Sequence, residues 1–275
     1  MLTKRVVGLA RTLGFTLIEM GIVLVIIGLV SGAAISILGP IRDSRKAELT
    51  NQRLDVIQKA LQLYVIQNSC LPCPTDGTQA TTPANTNVGK SMTTGSTVVA
   101  GSCATAACLQ IAAVVPWNTL GLSEEDITDG WGDRIRYAAA GTVTSVVGCP
   151  AAPGNLQLAN GMVRTTGASG CYPQGNLTVN DSGPPASSTT TAAYVLVSSG
   201  PDQALGYRAG TGTPTLDRWA QAAGDQFENS NSDTTFASGN TNATPNNTHF
   251  DDIVRFEVAP TMIQLCGAGA CGNPN

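Results

Sequence analysis

Between Phe15 and Leu38 the chain runs for 24 residues with a single charged side chain, Glu19. Coiled as an α-helix, such a run is about 36 Å long at about 1.5 Å per residue, enough to cross a bilayer. Past Pro40 the pattern changes. Leu54, Ile57, Leu61 and Tyr64 recur every three or four residues, with Arg53, Gln58, Lys59 and Gln62 on the other faces, which predicts an amphipathic helix with one buried stripe. Pro40 has no amide proton to donate and crowds the preceding turn, so a bend or local opening is predicted at the join. The helical signal ends at Asn68–Ser69, where Cys70-Leu71-Pro72-Cys73-Pro74 punctuates the chain.

The remainder reads differently. A Thr-, Gly-, Ala- and Asn-rich stretch extends to about residue 106 and holds too few large apolar groups for a core of its own, so it reads as a long surface excursion with short strands such as Ser96 to Ala100. The segment CLQIAAVVPWNTLGL predicts a short helix or strand running into a packed turn, and Trp131 to Tyr137 reads as a strand entrance. Tyr194 to Gly200 and Ile253 to Val258 are rich in aromatic and β-branched residues and predict strands. The fold class that follows is α+β: a long N-terminal helix, hydrophobic then amphipathic, packed through Leu54, Ile57 and Leu61 against an antiparallel sheet, with long loops between Gly141 and Thr191 and between Tyr207 and His249.

Composition narrows the function. Only 12% of residues are charged, against about 25% in ordinary soluble domains, and the formal net charge is −4. A basic nucleic-acid footprint is therefore not expected. A histidine-rich zinc site cannot be built from His249, the one histidine present. Lys4, Arg5 and Arg11 precede the apolar run with no acid among them, which places that side in the cytoplasm and the rest of the chain outside. The run is longer than the apolar core of an ordinary cleaved signal peptide.

The residues Gly14-Phe15-Thr16-Leu17-Ile18-Glu19, together with the basic leader, the apolar run and the amphipathic continuation, resemble the processing site of type IV prepilins and type II secretion pseudopilins. The resemblance implies that a prepilin peptidase cuts after Gly14 and methylates Phe15, leaving the hydrophobic helix as membrane anchor and filament core. It implies that the Glu19 carboxylate pairs with the Phe15 nitrogen of a neighbouring pilin-like subunit. Gly21, Val23, Ile27, Gly28, Gly32 and Ala33 would permit close helix contacts. The segments become a cleaved leader over 1–14, a transmembrane and filament-core helix over 15–39, its amphipathic continuation over 40–69 and an exported head over 70–275. Loss of the three leader cations changes the formal charge from −4 to −7.

Val115-Pro116-Trp117, GWGDRIRYA, YVLVSSGPD and DDIVRF are similar to the head pattern of secretion pseudopilins, interrupted by the long insertions. The expected protein is a structural filament subunit of the bacterial inner membrane, head in the periplasm, polymerised by an assembly platform with a separate ATPase, since no phosphate-binding loop occurs here. It is not expected to be an enzyme. A pseudopilin of type II secretion comes first; a minor type IV pilus subunit for adhesion, motility or DNA uptake is the alternative. A membrane-tethered periplasmic thiol-redox protein is the reading from a different class.

Cysteines stand at Cys70, Cys73, Cys103, Cys108, Cys149, Cys171, Cys266 and Cys271, and an even number in an exported head predicts disulfides. Local pairing, 70 with 73, 103 with 108, 149 with 171 and 266 with 271, is one of many connectivities open to them. The CxxC spacing at Cys70 and Cys73 also permits redox chemistry, but the pair follows a helix, whereas thiol activation favours a helix N-terminus. No repeated CxxC supports a zinc finger.

Asp202 follows the YVLVSSGP strand, and Asp251-Asp252 precede the last strand, so carboxylates of two loops can surround a cation. Calcium is the candidate, as in the loop of the secretion pseudopilins that this segment resembles. Glu124, Glu125, Asp126 and Asp129 read as an acidic helix start capped by Ser123. His249 reads as a surface or loop residue, and Trp117, Trp131 and Trp219 as packing residues.

Overall fold

The computed structural model describes residues 16–68, 71–93, 96–97, 108, 110, 112–140, 177–181, 187–215, 224–231, 233–242, 249–258 and 261–262, with 32–41, 96–97 and 190–191 as backbone alone. A single helix, α1 (Leu17–Asn68), spans 52 residues. It continues as one element through Pro40, where the sequence predicts a bend or opening. The loss of one backbone hydrogen bond among so many does not interrupt it. The chain divides into two compact units, Met1–Ser44 and Arg45–Asn275, so the amphipathic end of α1 belongs with the head. Among the described residues no helix is long and apolar enough to cross a membrane; the side chains of 32–41, which include the end of the expected span, lie outside the described set.

The head is built from strands β1 (Met92–Thr93), β2 (Ser96–Thr97), β3 (Ala112–Val114), β4 (Asp133–Arg134), β5 (Arg136–Ala139), β6 (Leu177–Asp181), β7 (Ser187–Ser198), β8 (Tyr207–Arg208), β9 (Thr235–Ser238) and β10 (Ile253–Val258), with a one-turn helix α2 (Asp225–Glu228). The main sheet runs β3-β5-β7-β6-β9, and β10 also pairs with β7. Long β7 organises it, pairing antiparallel with β5, β6 and β10. Among the described residues the one parallel pair of strands is β6 with β9. The expected strand at Ile253–Val258 is present with those bounds, and the Trp131 segment resolves into β4 and β5.

Leu54, Ile57 and Leu61 of α1 are fully buried and share one apolar cluster with Val114, Tyr137, Leu196 and Phe236 of the sheet. The period-3.6 stripe read from the sequence is thus the face that the sheet covers. At its edge Gln58 donates from Nε2 to the Tyr194 hydroxyl at 3.3 Å.

The segment after α1 is less of a surface excursion than its composition predicts. Leu71, Cys73, Thr75, Val88 and Ser91 are buried, and Arg134 supplies the reason. Its guanidinium, itself buried, donates from Nη1 to the carbonyls of Gly77 at 2.7 Å and Gln79 at 2.8 Å, and from Nη2 to Thr81 Oγ1 at 3.1 Å. It also pairs with Glu124 at 2.7 Å and stacks 5.0 Å from the Trp117 ring centroid. A rigid fork of donors can hold a polar loop that lacks the apolar side chains to hold itself.

Candidate functional site

Of the processing motif, Thr16 and Glu19 are described; Gly14 and Phe15 lie outside the described residues. The Glu19 carboxylate accepts from the Thr16 amide and hydroxyl, each at 2.8 Å, and the Glu19 amide donates to Thr16 Oγ1 at 3.3 Å. This reciprocal cap satisfies donors at the start of α1. The helix then shows the solvent a row of large apolar side chains, from Leu17, 95% exposed, and Ile18, 72% exposed, through Leu24 to Leu29 and Val30.

The second candidate lies where the loop after β7 meets the entrance to β10. Gly200 adopts a positive φ of 62°, and a Cβ there would stand 2.3 Å from the Asp251 carbonyl oxygen, so only glycine lets the two loops approach. Asp202 then donates its amide to Asp251 Oδ2 at 3.2 Å. His249 Nε2 lies 3.3 Å from Asp202 Oδ2 and 3.4 Å from Asp251 Oδ2. The buried amide of Gln226, from α2, reaches both Asp202 oxygens at 3.0 and 2.9 Å and Asp251 Oδ1 at 3.4 Å. Burial, and then the charge of Asp202, push the Asp251 carboxyl up to about 6.

The structure places Asp202 beside Asp251, with a third neighbour other than Asp252. Asp252 is not a member of the group that Asp202 and Asp251 form with His249. Its Oδ2 accepts from Asn229 Nδ2 at 2.8 Å, and burial raises its carboxyl well above the usual range. His249, read as a surface or loop residue, is buried and takes that place. Asp251 and Asp252 stand just ahead of β10 and meet different partners, Asp251 the Asp202 amide and His249, Asp252 the Asn229 amide. The resulting donor set of two carboxylates and an imidazole puts a nitrogen where calcium prefers oxygen.

A second acidic group is structural. Asp129 Oδ1 accepts the amides of Trp131, Gly132 and Asp133 at 2.9, 2.9 and 3.0 Å, and its Oδ2 accepts from the Ser198 hydroxyl at 2.7 Å. Asp133, fully buried, has Arg208 Nε 3.4 Å from Oδ1, and burial pushes its carboxyl up to about 6. Glu124 is committed to Arg134. Ser123 and Asp126 cap one another, with Oγ to Oδ2 at 2.7 Å, ahead of a 3-10 turn over Glu125–Ile127 rather than a full α-helix. Trp117 and Trp131 are buried; Trp219 lies outside the described residues.

Cys73 is bonded to Cys108, with Cα atoms 5.3 Å apart, which overturns the local pairings 70 with 73 and 103 with 108. Thr93 also bridges Cys108, so residues distant in sequence meet. Buried in that bond, Cys73 is not the partner of a CxxC redox pair. Cys70, Cys103, Cys149, Cys171, Cys266 and Cys271 lie outside the described residues.

The fold is thus an α+β head on the amphipathic end of a long helix. No family model, curated protein or solved structure matches this chain.

Proposed function

We propose that this chain is a structural subunit of a pilin-like filament, a secretion pseudopilin in kind, whose work is polymerisation rather than bond-breaking. The observation that carries the reading is one helix with two opposite habits of burial. Arg45–Asn68 buries Leu54, Ile57, Leu61 and Val65 in the head, whereas Leu17 to Val30 keeps its large apolar side chains uncovered. Such a surface is costly in water and is covered by lipid before assembly and by neighbouring helices after it. Glu19 is held at the start of that surface, where a carboxylate needs a cationic partner once it leaves water. The newly exposed amine of Phe15 in an adjacent subunit supplies that charge.

On this reading a prepilin peptidase separates Gly14 from Phe15, the head stays in the periplasm, and an assembly platform with its own ATPase draws the helix from the inner membrane into the filament. The test is mass spectrometry of the amino-terminal peptide from native membranes and from sheared surface fibres, with the peptidase present or deleted. A methylated Phe15 terminus that depends on the peptidase is the expected result. Its presence in sheared fibres alone would move the assignment to a pilus subunit. Retention of Met1 to Gly14 under all conditions would overturn the assembly reading.

A further inference from the structure

We infer that Asp202, His249 and Asp251 form a binding site for a borderline divalent transition metal of the zinc class, with the amide of Gln226 as the adjacent fourth group. This goes beyond the filament reading and does not rest on it.

The donor chemistry is the first ground. Imidazole nitrogen suits zinc, copper, iron and nickel, whereas calcium and magnesium select oxygen. Geometry is the second. The three ligand atoms lie within 4.8 Å of one another, and Nε2 stands 3.3 and 3.4 Å from the two carboxylate oxygens. Ligands at about 2.0–2.1 Å from a tetrahedral zinc are separated by about 3.3–3.4 Å, the separation that Nε2 already has from each carboxylate oxygen.

Charge is the third ground. Two carboxylates held side by side out of water repel one another, and a divalent cation bound with neutral imidazole cancels both charges. The buried Gln226 amide donates to three oxygens of the same two carboxylates and so stands beside the place the cation would take. Reversing that amide presents Oε1 instead of Nε2 and turns a hydrogen-bond donor into a ligand. The metal then joins the loop after β7, helix α2 and the entrance to β10, three segments with few apolar side chains to hold them.

The chain contains one histidine, so any imidazole signal reports on His249 without mutation. The experiment uses untagged full-length protein in detergent, labelled with 15N at histidine alone and titrated with Zn2+ or Ca2+. One equivalent of Zn2+ is expected to shift the Nε2 resonance and to raise the melting temperature by about 5–10 °C at a hundredfold excess over Kd. Ca2+ is expected to do neither. Asp202→Asn and Asp251→Asn are expected to weaken zinc binding about a hundredfold or more, read by competition with a chromophoric chelator. If a variant fails to fold, the wild-type spectrum still decides. An Nε2 resonance unmoved by millimolar Zn2+, or a stabilising Ca2+ site that leaves Nε2 unmoved, would overturn the inference.

Discussion

Cys73 and Cys108 are joined across a separation of 35 residues, and Cys73 has no exposed surface. The bond closes the loop that carries β1 and β2 and ties its start to its end just ahead of β3. Closing a loop of that length removes about 3–4 kcal/mol of chain entropy from the unfolded state. The double variant Cys73→Ala/Cys108→Ala is expected to lose roughly that much stability in chemical denaturation. Non-reducing peptide mapping should recover the 73–108 linked peptide.

Arg134 is the interior cation on which the segment from Gly77 to Thr81 depends. Arg134→Met takes the cation from the Glu124 carboxylate, which keeps the Gly210 amide, and leaves two carbonyls without their donor, at a cost of about 2–4 kcal/mol. Arg134→Lys should recover only part of this, because an ammonium cannot reproduce the fork. Limited proteolysis should show cleavage near residues 77–81 in both variants, and more in Arg134→Met.

Gly130 packs on the helix backbone. A Cβ there would stand 2.3 Å from the Lys46 carbonyl oxygen, and its amide donates to Thr50 Oγ1 at 2.9 Å. Neither backbone can yield without pulling the turn from the helix, so Gly130→Ala is expected to cost about 1–3 kcal/mol, read from the urea midpoint.

Asp133 supplies a dependence on pH. With its folded carboxyl raised to about 6, the folded protein holds a proton that the unfolded chain has already released near pH 4. Stability is therefore lost as pH rises from about 4 to about 6 and stays lost above that. Asp133→Asn removes the titration. The variant is expected to be more stable than wild type at pH 8 by on the order of 1–3 kcal/mol, with the difference vanishing near pH 4. A thermal melt at each pH checks both ends.

The helical stripe of Leu54, Ile57 and Leu61 was legible because a buried face of a helix imposes a period that survives in one dimension. The β10 bounds were legible for the same reason, through a run of strand-forming side chains. The Asp202 and Asp251 pair was found from loops flanking predicted strands. Its third member was not, because two adjacent acids look alike in sequence, while Asn229, which holds Asp252, comes from a distant segment. His249 had one weak signal, its position two residues before Asp251.

Local chemistry alone thus determined an apolar helix start bearing Glu19, an amphipathic continuation and an α+β head, since periodicity and residue type act over a few neighbours. Tertiary structure decided that Cys73 meets Cys108, that Arg134 is buried under a polar loop, and that His249 rather than Asp252 stands between two carboxylates. Each of these depends on where distant segments return, and pattern along a chain carries no distance across it.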